Sequence, residues 1–498
     1  MVVKKITMDK KILNIAFSLS EYVIGAIVLF LQYRLMIKVL GISSLGLWSL
    51  SLTLMSLTSV GTSGFSGSVV RYIAIYKAKS NIKIDRLIET VEITVALISV
   101  VLIGILIVLL KYFGLYFFTI AELEVLNRII PLIVAGFFIS TLSGVHLQAL
   151  DGLQLIYLRN IINIFSKFSY LVLTYILIYN YGIMGISLAF IISAFITILL
   201  SIFFIRKYVP TKRIFLLRFD GEVFKELFNY GINFQISSLA QVIYDPLTKI
   251  LIKRFGGIEC VGLYELASKI LIQARQLIVV VVNTFVPIVA ELKEKNNNEY
   301  VKQLYIKIFN FVIIISLALF TLELLVFPII PEIFLKDKSN STFSKFNIYY
   351  IEIAIGLMIN LFSVPAFMFN LGTGNIRSNT NAFVFSAIIY ILFEFVIGKV
   401  WKDEGVVLGW LIGSIALSCI ILIQFQINEK INHLKLFSQS FIYLFIVSTI
   451  MLSVFYWHFS NNIIVTYIII IIYSFFAIKI ISKEEVIKSL LSKYNLIY

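Results

Sequence analysis

Apolar runs of about 20 residues recur along almost the whole chain, and a helix of that length crosses the hydrocarbon core of a bilayer. Backbone N–H and C=O groups in hydrocarbon must be satisfied internally, so such runs become helices or the strands of a closed barrel. Barrel strands alternate apolar and polar over ~10 residues, a pattern that these runs lack. The chain therefore reads as an all-α polytopic membrane protein. Of its 498 residues 60% are hydrophobic and only 14% charged, where a soluble domain carries about 25% charged. Fourteen transmembrane helices are expected, at 12–37, 45–70, 91–110, 129–150, 161–179, 183–205, 228–252, 262–290, 308–330, 348–371, 382–400, 405–426, 439–457 and 462–481. The Lys-rich segment Met1 to Lys11 precedes an apolar stretch too long for a signal peptide, so the first span is expected to be retained.

Hydropathy leaves spans 7 and 8 weak. Asn233, Gln235, Gln241, Asp245 and Lys249 interrupt one, and Glu265, Lys269, Gln273, Arg275 and Gln276 the other. An internal repeat supports them. Gly41-Ile42-Ser43-Ser44-Leu45-Gly46-Leu47-Trp48 aligns without a gap on Gly257-Ile258-Glu259-Cys260-Val261-Gly262-Leu263-Tyr264, at an offset of 216. A weaker pair, Gly182 to Ala189 against Gly405 to Gly413, falls at offsets of 223 to 224. The expected architecture is two six-helix repeats with two helices appended: an N-lobe at 1–220, a C-lobe at 221–437, and helices 13 and 14 with a tail at 438–498. Six is even, so both repeats insert the same way up and are parallel.

A net charge of +15 could suggest a nucleic-acid partner. With the N-terminus placed inside, 27 of the 42 Lys and Arg residues fall on inner segments, ten on outer ones and five within spans. The excess follows the positive-inside rule, places both termini in the cytoplasm and gives no reason to expect nucleic acid.

Ionisable residues within spans are costly, so their placement is informative. In the first span Asn14, Ser18, Glu21, Gly25 and Gln32 share one helical face. Similar stripes run through the fifth span (Asn160, Asn163, Lys167, Tyr170, Thr174), the seventh (Asn233, Ser237, Gln241, Asp245, Lys249), the eighth (Glu265, Lys269, Gln273, Gln276, Asn283) and the tenth (Glu352, Gly356, Asn360, Ser363, Asn370). These stripes suit either a hydrated cavity or hydrogen bonding between helices. Asp245 with Lys249, and Glu265 with Lys269, have the spacing of acid-before-base pairs on one helix. Arg34, Lys167 and Arg275 have no such local partner and are the best candidates for an anionic ligand. A guanidinium can hold phosphate oxygens bidentately, which favours Arg275 for a diphosphate. Lys249, Lys269, Gln273 and Asn233 complete the candidate substrate-binding set. Glu21, Glu323, Glu352 and Glu394 lack a local base. With Asp245 and Glu265, the acids Glu21, Glu352 and Glu394 are candidates for coupling to H⁺ or Na⁺. Pro246, Pro287 and Pro365 are expected to bend or loosen their spans.

No G-x-x-x-x-G-K-[ST] phosphate loop and no Cys/His metal cluster occurs in the sequence, and no cofactor is expected beyond a coupling ion. The outer loops expected are short for a membrane enzyme of glycan assembly.

Tyr33-Arg34 to Leu40-Gly41, Gly46-Leu47-Trp48-Ser49-Leu50 and Val70-Arg71-Tyr72-Ile73-Ala74 resemble the opening of bacterial polysaccharide flippases, of O-antigen or capsule type, in the multidrug/oligosaccharidyl-lipid/polysaccharide exporter superfamily. Gly262-Leu263-Tyr264 and Ala267-Ser268-Lys269-Ile270 are similar to the opening of that family's second half. The resemblance implies a V-shaped pair of six-helix lobes in the bacterial inner membrane. It implies a non-enzymatic flippase that moves undecaprenyl-diphosphate-linked oligosaccharide from the cytoplasmic to the outer leaflet by alternating access. A polysaccharide polymerase and glycosyltransferases are the implied protein partners, alongside the lipid bilayer. Drug exporters share the architecture, so a cation-coupled exporter is the alternative. An acid-dominated cavity would suit cationic drugs, whereas five cations within the spans argue for an anionic substrate.

Overall fold

The computed structural model describes residues 2–78, 84–209, 219–228, 244–335, 339–431, 439–458 and 463–481. All regular structure among them is helical. Eight helices are long and apolar enough to cross a membrane, and three shorter apolar helices accompany them. The described residues form two compact units, Met1–Glu265 and Leu266–Tyr498.

The first unit holds α1 (Val2–Leu40), α2 (Ile42–Ala78), α3 (Ile84–Phe117), α4 (Ile120–Gly152), α5 (Ile156–Tyr208), α6 over 221–228 and α7 (Tyr244–Gly256). The α3 helix has a mean hydropathy of 3.2 over its most apolar window, yet only 28% of that window is buried. An apolar surface turned outward to this degree fits hydrocarbon rather than water as its surroundings. A core of Val69, Ile73, Val91, Val145, Ala149 and Ile162 joins α2, α3, α4 and α5. The seventh expected span is described over α7 alone, so Asn233, Gln235, Ser237 and Gln241 lie outside the described residues.

The second unit contains most of α8 (Ile258–Asn283), then α9 (Val286–Glu294), α10 (Asn298–Val326), α11 (Ile329–Phe334), α12 (Asn340–Gly372), α13 (Ile376–Asn428), α14 (Gln439–His458) and α15 (Ile463–Ile481). The appended pair packs on α10, where Ile314, Leu317 and Leu325 meet Leu444 of α14 and Tyr473 of α15. The eighth expected span is not one helix. It ends at Asn283 and resumes at Val286 with Pro287 in its first turn, where a missing N–H costs nothing. By contrast α12 runs through Pro365 without a break.

The elements α5 and α13 each contain two expected spans, folded into a hairpin by one residue of positive φ. That residue is Gly182 (φ 56°, ψ −133°) in α5 and Lys402 (φ 55°, ψ −134°) in α13. Three residues on, Gly185 packs against the Leu177 carbonyl and Gly405 against that of Ile397, where any side chain would collide with backbone. This corrects the register of the second repeat. Gly182 corresponds to Lys402 and Gly185 to Gly405, an offset of 220 rather than 223 to 224. The same offset relates the bounds of α4 to those of α12 and of α5 to those of α13. The offset of 216 holds for the earlier segment, where Gly41 and Gly257 have φ of 84° and 88°. Gly152 packs on Val70 and Ile73, and Gly372 packs on Val286 and Val289 in the same way. The duplication is thus visible in packing as well as in residue type.

Candidate functional site

The polar stripe of α1 meets that of α5 rung by rung. Asn14 Oδ1 accepts from the Tyr157 backbone N–H at 3.0 Å, and Asn160 Nδ2 donates to Ser18 Oγ at 2.8 Å. Glu21 Oε1 accepts from Asn163 Nδ2 at 3.0 Å and from Lys167 Nζ at 3.1 Å. Gln32 Nε2 donates to Thr174 Oγ1 at 3.3 Å. Gly25 leaves room for the Lys167 ammonium, which would have to shift to admit a side chain there. These hydrogen bonds tie the two stripes to each other across the helix interface. Lys167 and Glu21, without partners on their own helices, neutralise each other across 146 residues of chain.

A second cluster surrounds Lys249, which is 1% exposed. Its ammonium lies 2.8 Å from Asp245 Oδ2 and 2.9 Å from Glu265 Oε2, and donates to Thr53 Oγ1 at 2.8 Å. The Tyr33 hydroxyl donates to Glu265 Oε1 at 2.6 Å. Four helices, α1, α2, α7 and α8, thus converge on one buried cation. The expected Asp245–Lys249 pair is present, and Glu265 reaches across helices to the same ammonium. Two carboxylates against one ammonium satisfy the charge of Lys249, and the Asp245 side chain is half exposed.

Arg275 is placed differently. Its Nε and Nη2 donate to the Asn360 amide oxygen of α12 at 3.0 and 2.6 Å. The guanidinium lines a narrow crevice with Ser316, Phe320, Glu323, Leu357 and Leu361. Among the described residues no carboxylate lies within ion-pairing distance of it. A cation held by a neutral amide keeps its full charge and further N–H donors. The Asn360 backbone carbonyl accepts from Ser363 Oγ at 2.7 Å, one turn along the same helix.

The remaining candidates are dispersed. Arg34 is exposed on α1, and no ion pair involves it among the described residues. Gln273 is half-buried on α8, as is Lys269, which is held by a further interaction. Glu352 is half-buried, and its Oε2 has no hydrogen-bond partner among the described residues. Glu394 is buried with its backbone against Gly409. Three pairings escape a reading of single-helix spacing. His146 Nε2 lies 3.1 Å from Glu92, Arg159 Nη1 2.6 Å from Asp151, and Lys345 Nζ 2.9 Å from Asp403, which also accepts from Tyr349. Rarity was the available signal for the first, since His146 is one of three histidines. No group of three or more His, Cys, Asp or Glu side chains among the described residues could hold a metal ion.

Residues 12–293 match a family model described as polysaccharide biosynthesis protein. Among solved structures, the chain is similar to the lipid II flippase MurJ in an inward closed conformation. The identity is 17% and the TM-score 0.72, over 95% of this chain and 98% of that one. It is also similar to an inward-facing multidrug resistance MATE family transporter of the MOP superfamily, at 15% identity and a TM-score of 0.68, over 81% and 94% of the two chains. A MOP superfamily transporter from Pyrococcus furiosus aligns at 18% identity with a TM-score of 0.60, over 84% and 95%. No curated protein sequence matches. At these identities the structural likeness establishes the fold that these transporters share.

Proposed function

The chain belongs to the polysaccharide biosynthesis protein family, and on that premise we propose that it is a flippase for polyprenyl-diphosphate-linked oligosaccharide repeat units. It carries them from the cytoplasmic to the outer leaflet by alternating access, as a transporter rather than an enzyme. Both termini face the cytoplasm of a bacterial inner membrane, in line with the distribution of Lys and Arg. The polar headgroup needs a hydrated, cationic path, while the lipid tail stays in hydrocarbon.

The observation that carries this reading is the pairing of Arg275 with Asn360 and, among the described residues, with no carboxylate. Arg275 supplies a charge-assisted, fork-shaped contact to a diphosphate, which a neutralised cation does not. Lys167 and Lys249 have their own acids, so they shape the path more than they hold the ligand. Glu352, whose buried Oε2 has no hydrogen-bond partner among the described residues, is the favoured carboxylate for coupling to H⁺ or Na⁺.

The likeness to a multidrug resistance transporter favours drug export as a second reading. A cationic drug would be repelled at Arg275, which places this second. Deleting the gene and analysing polyprenyl-linked intermediates separates the two. Intermediates that accumulate on the cytoplasmic face support the flippase, and drug sensitivity with normal surface glycan supports the exporter.

A further inference from the structure

A groove in the first unit borders the α2–α7 junction that holds Lys249, with Leu54 and Ile250 in its lining. Leu50, Leu54 and Leu57 of α2 face Leu106, Leu110 and Phe113 of α3 across a cavity of about 450 Å³. Its walls are almost wholly apolar, with Tyr116 of α3 among them, and its charged boundary is Lys253 and Arg254 at the end of α7.

That end is built from three elements. Lys253 Nζ donates to Glu122 Oε2 at 2.6 Å and to the Phe117 carbonyl, and lies 4.4 Å from the centre of the Phe118 ring. Glu122 also accepts from the Thr119 backbone N–H at 2.8 Å, in the box that caps α4. The α3–α4 turn and the end of α7 are thereby locked together. Glu122 neutralises Lys253. Arg254 is exposed and forms no ion pair among the described residues, so the groove's mouth carries one uncompensated cation.

Chemistry narrows the occupant. A polar solute would find no partner along the walls, and a cationic amphiphile would meet Arg254. The groove also adjoins the outward apolar surface of α3, where Leu109, Tyr112 and Tyr116 are exposed, so a chain enters it sideways from the bilayer. We infer that this groove binds one anionic phospholipid of the surrounding membrane, with an acyl chain between α2 and α3 and its phosphate on Arg254. Lipid tails are already in hydrocarbon, so moving one into the groove gains little, and selection rests on the headgroup. The site is independent of the export reading, because its ligand is not the cargo.

The test uses the full chain, purified into mixed micelles of phosphatidylglycerol and phosphatidylcholine and weighed intact by native mass spectrometry. Wild type should retain one more phosphatidylglycerol than Leu54→Trp, in which an indole fills the groove. Arg254→Gln should lower the preference for phosphatidylglycerol over phosphatidylcholine by about tenfold, the equivalent of ~1.4 kcal/mol. Arg254 is exposed, so this second variant tests the proposal even if the tryptophan prevents folding. An unchanged preference in Arg254→Gln would overturn it. So would equal retention by wild type and a folded Leu54→Trp, or a retained molecule that proves to be a polyprenyl phosphate.

Discussion

Gly46 and Gly262 make the same contact in opposite senses. A side chain on Gly46 would overlap the carbonyl oxygen of Ile258, and one on Gly262 would overlap that of Ile42. Each glycine lies one turn after the residue that the other one meets, so the repeated segments at the starts of α2 and α8 pack backbone to backbone. Helices in lipid gain little from apolar burial and associate through such close approaches. Gly46→Ala and Gly262→Ala should each destabilise the folded protein by about 1–3 kcal/mol, the cost of overpacking. Thermal unfolding of the full chain in detergent measures this. An effect at one glycine alone would contradict the reciprocity.

Lys249 holds the convergence of α1, α2, α7 and α8. Lys249→Met leaves Asp245 and Glu265 facing each other without their cation, and removing one partner of a buried pair costs about 3–5 kcal/mol. The double variant Lys249→Met with Glu265→Gln should recover part of that loss. A single variant as stable as wild type would show that the cluster contributes nothing to folding.

Lys167 and Glu21 form an ion pair between α1 and α5, so that contact needs opposite charges at the two positions but not a particular order. Charge reversal at either residue should lower the amount of folded protein in the membrane, and the double exchange Glu21→Lys with Lys167→Glu should restore it. Export should return with it. Restored protein with export still lost would assign Lys167 to the ligand instead.

Lys402 occupies a backbone conformation that its counterpart supplies with Gly182. Such strain costs roughly 1–3 kcal/mol for a residue with a side chain. Lys402→Gly should therefore raise the unfolding temperature, and Gly182→Lys should lower it. Identical unfolding temperatures in all three chains would argue against strain at this turn.

The fold is legible in the sequence because hydrocarbon permits few solutions: apolar length fixes helices, and the offset of 216 marks the duplication. Register in the second segment is not, since Lys402 stands where Gly182 stands and identity pulls the alignment onto Gly405. Partners across helices are also hidden. Helical spacing reveals Asp245 with Lys249, four residues apart, but not Lys167 with Glu21 or Glu265 with Tyr33, which are 146 and 232 residues apart. For the same reason the two stripes of α1 and α5, which could each line a cavity, turn out to satisfy each other. Among the described residues, half-buried Arg275 is still without an ion-pairing acid, whereas Lys167 and Lys249 each have one.

Receipt of the anionic headgroup of a lipid-linked glycan by Arg275 is the step on which the proposed function turns. Its most direct measurement is the leaflet distribution of polyprenyl-linked oligosaccharide in cells whose only copy of the protein carries Arg275→Gln. Losing one charge-assisted hydrogen-bonding contact, worth ~1.5–3 kcal/mol, predicts an export rate about 10- to 100-fold lower. The glycolipid should build up on the cytoplasmic face while the variant remains in the membrane at the wild-type level. A wild-type distribution, with normal surface glycan, would contradict it.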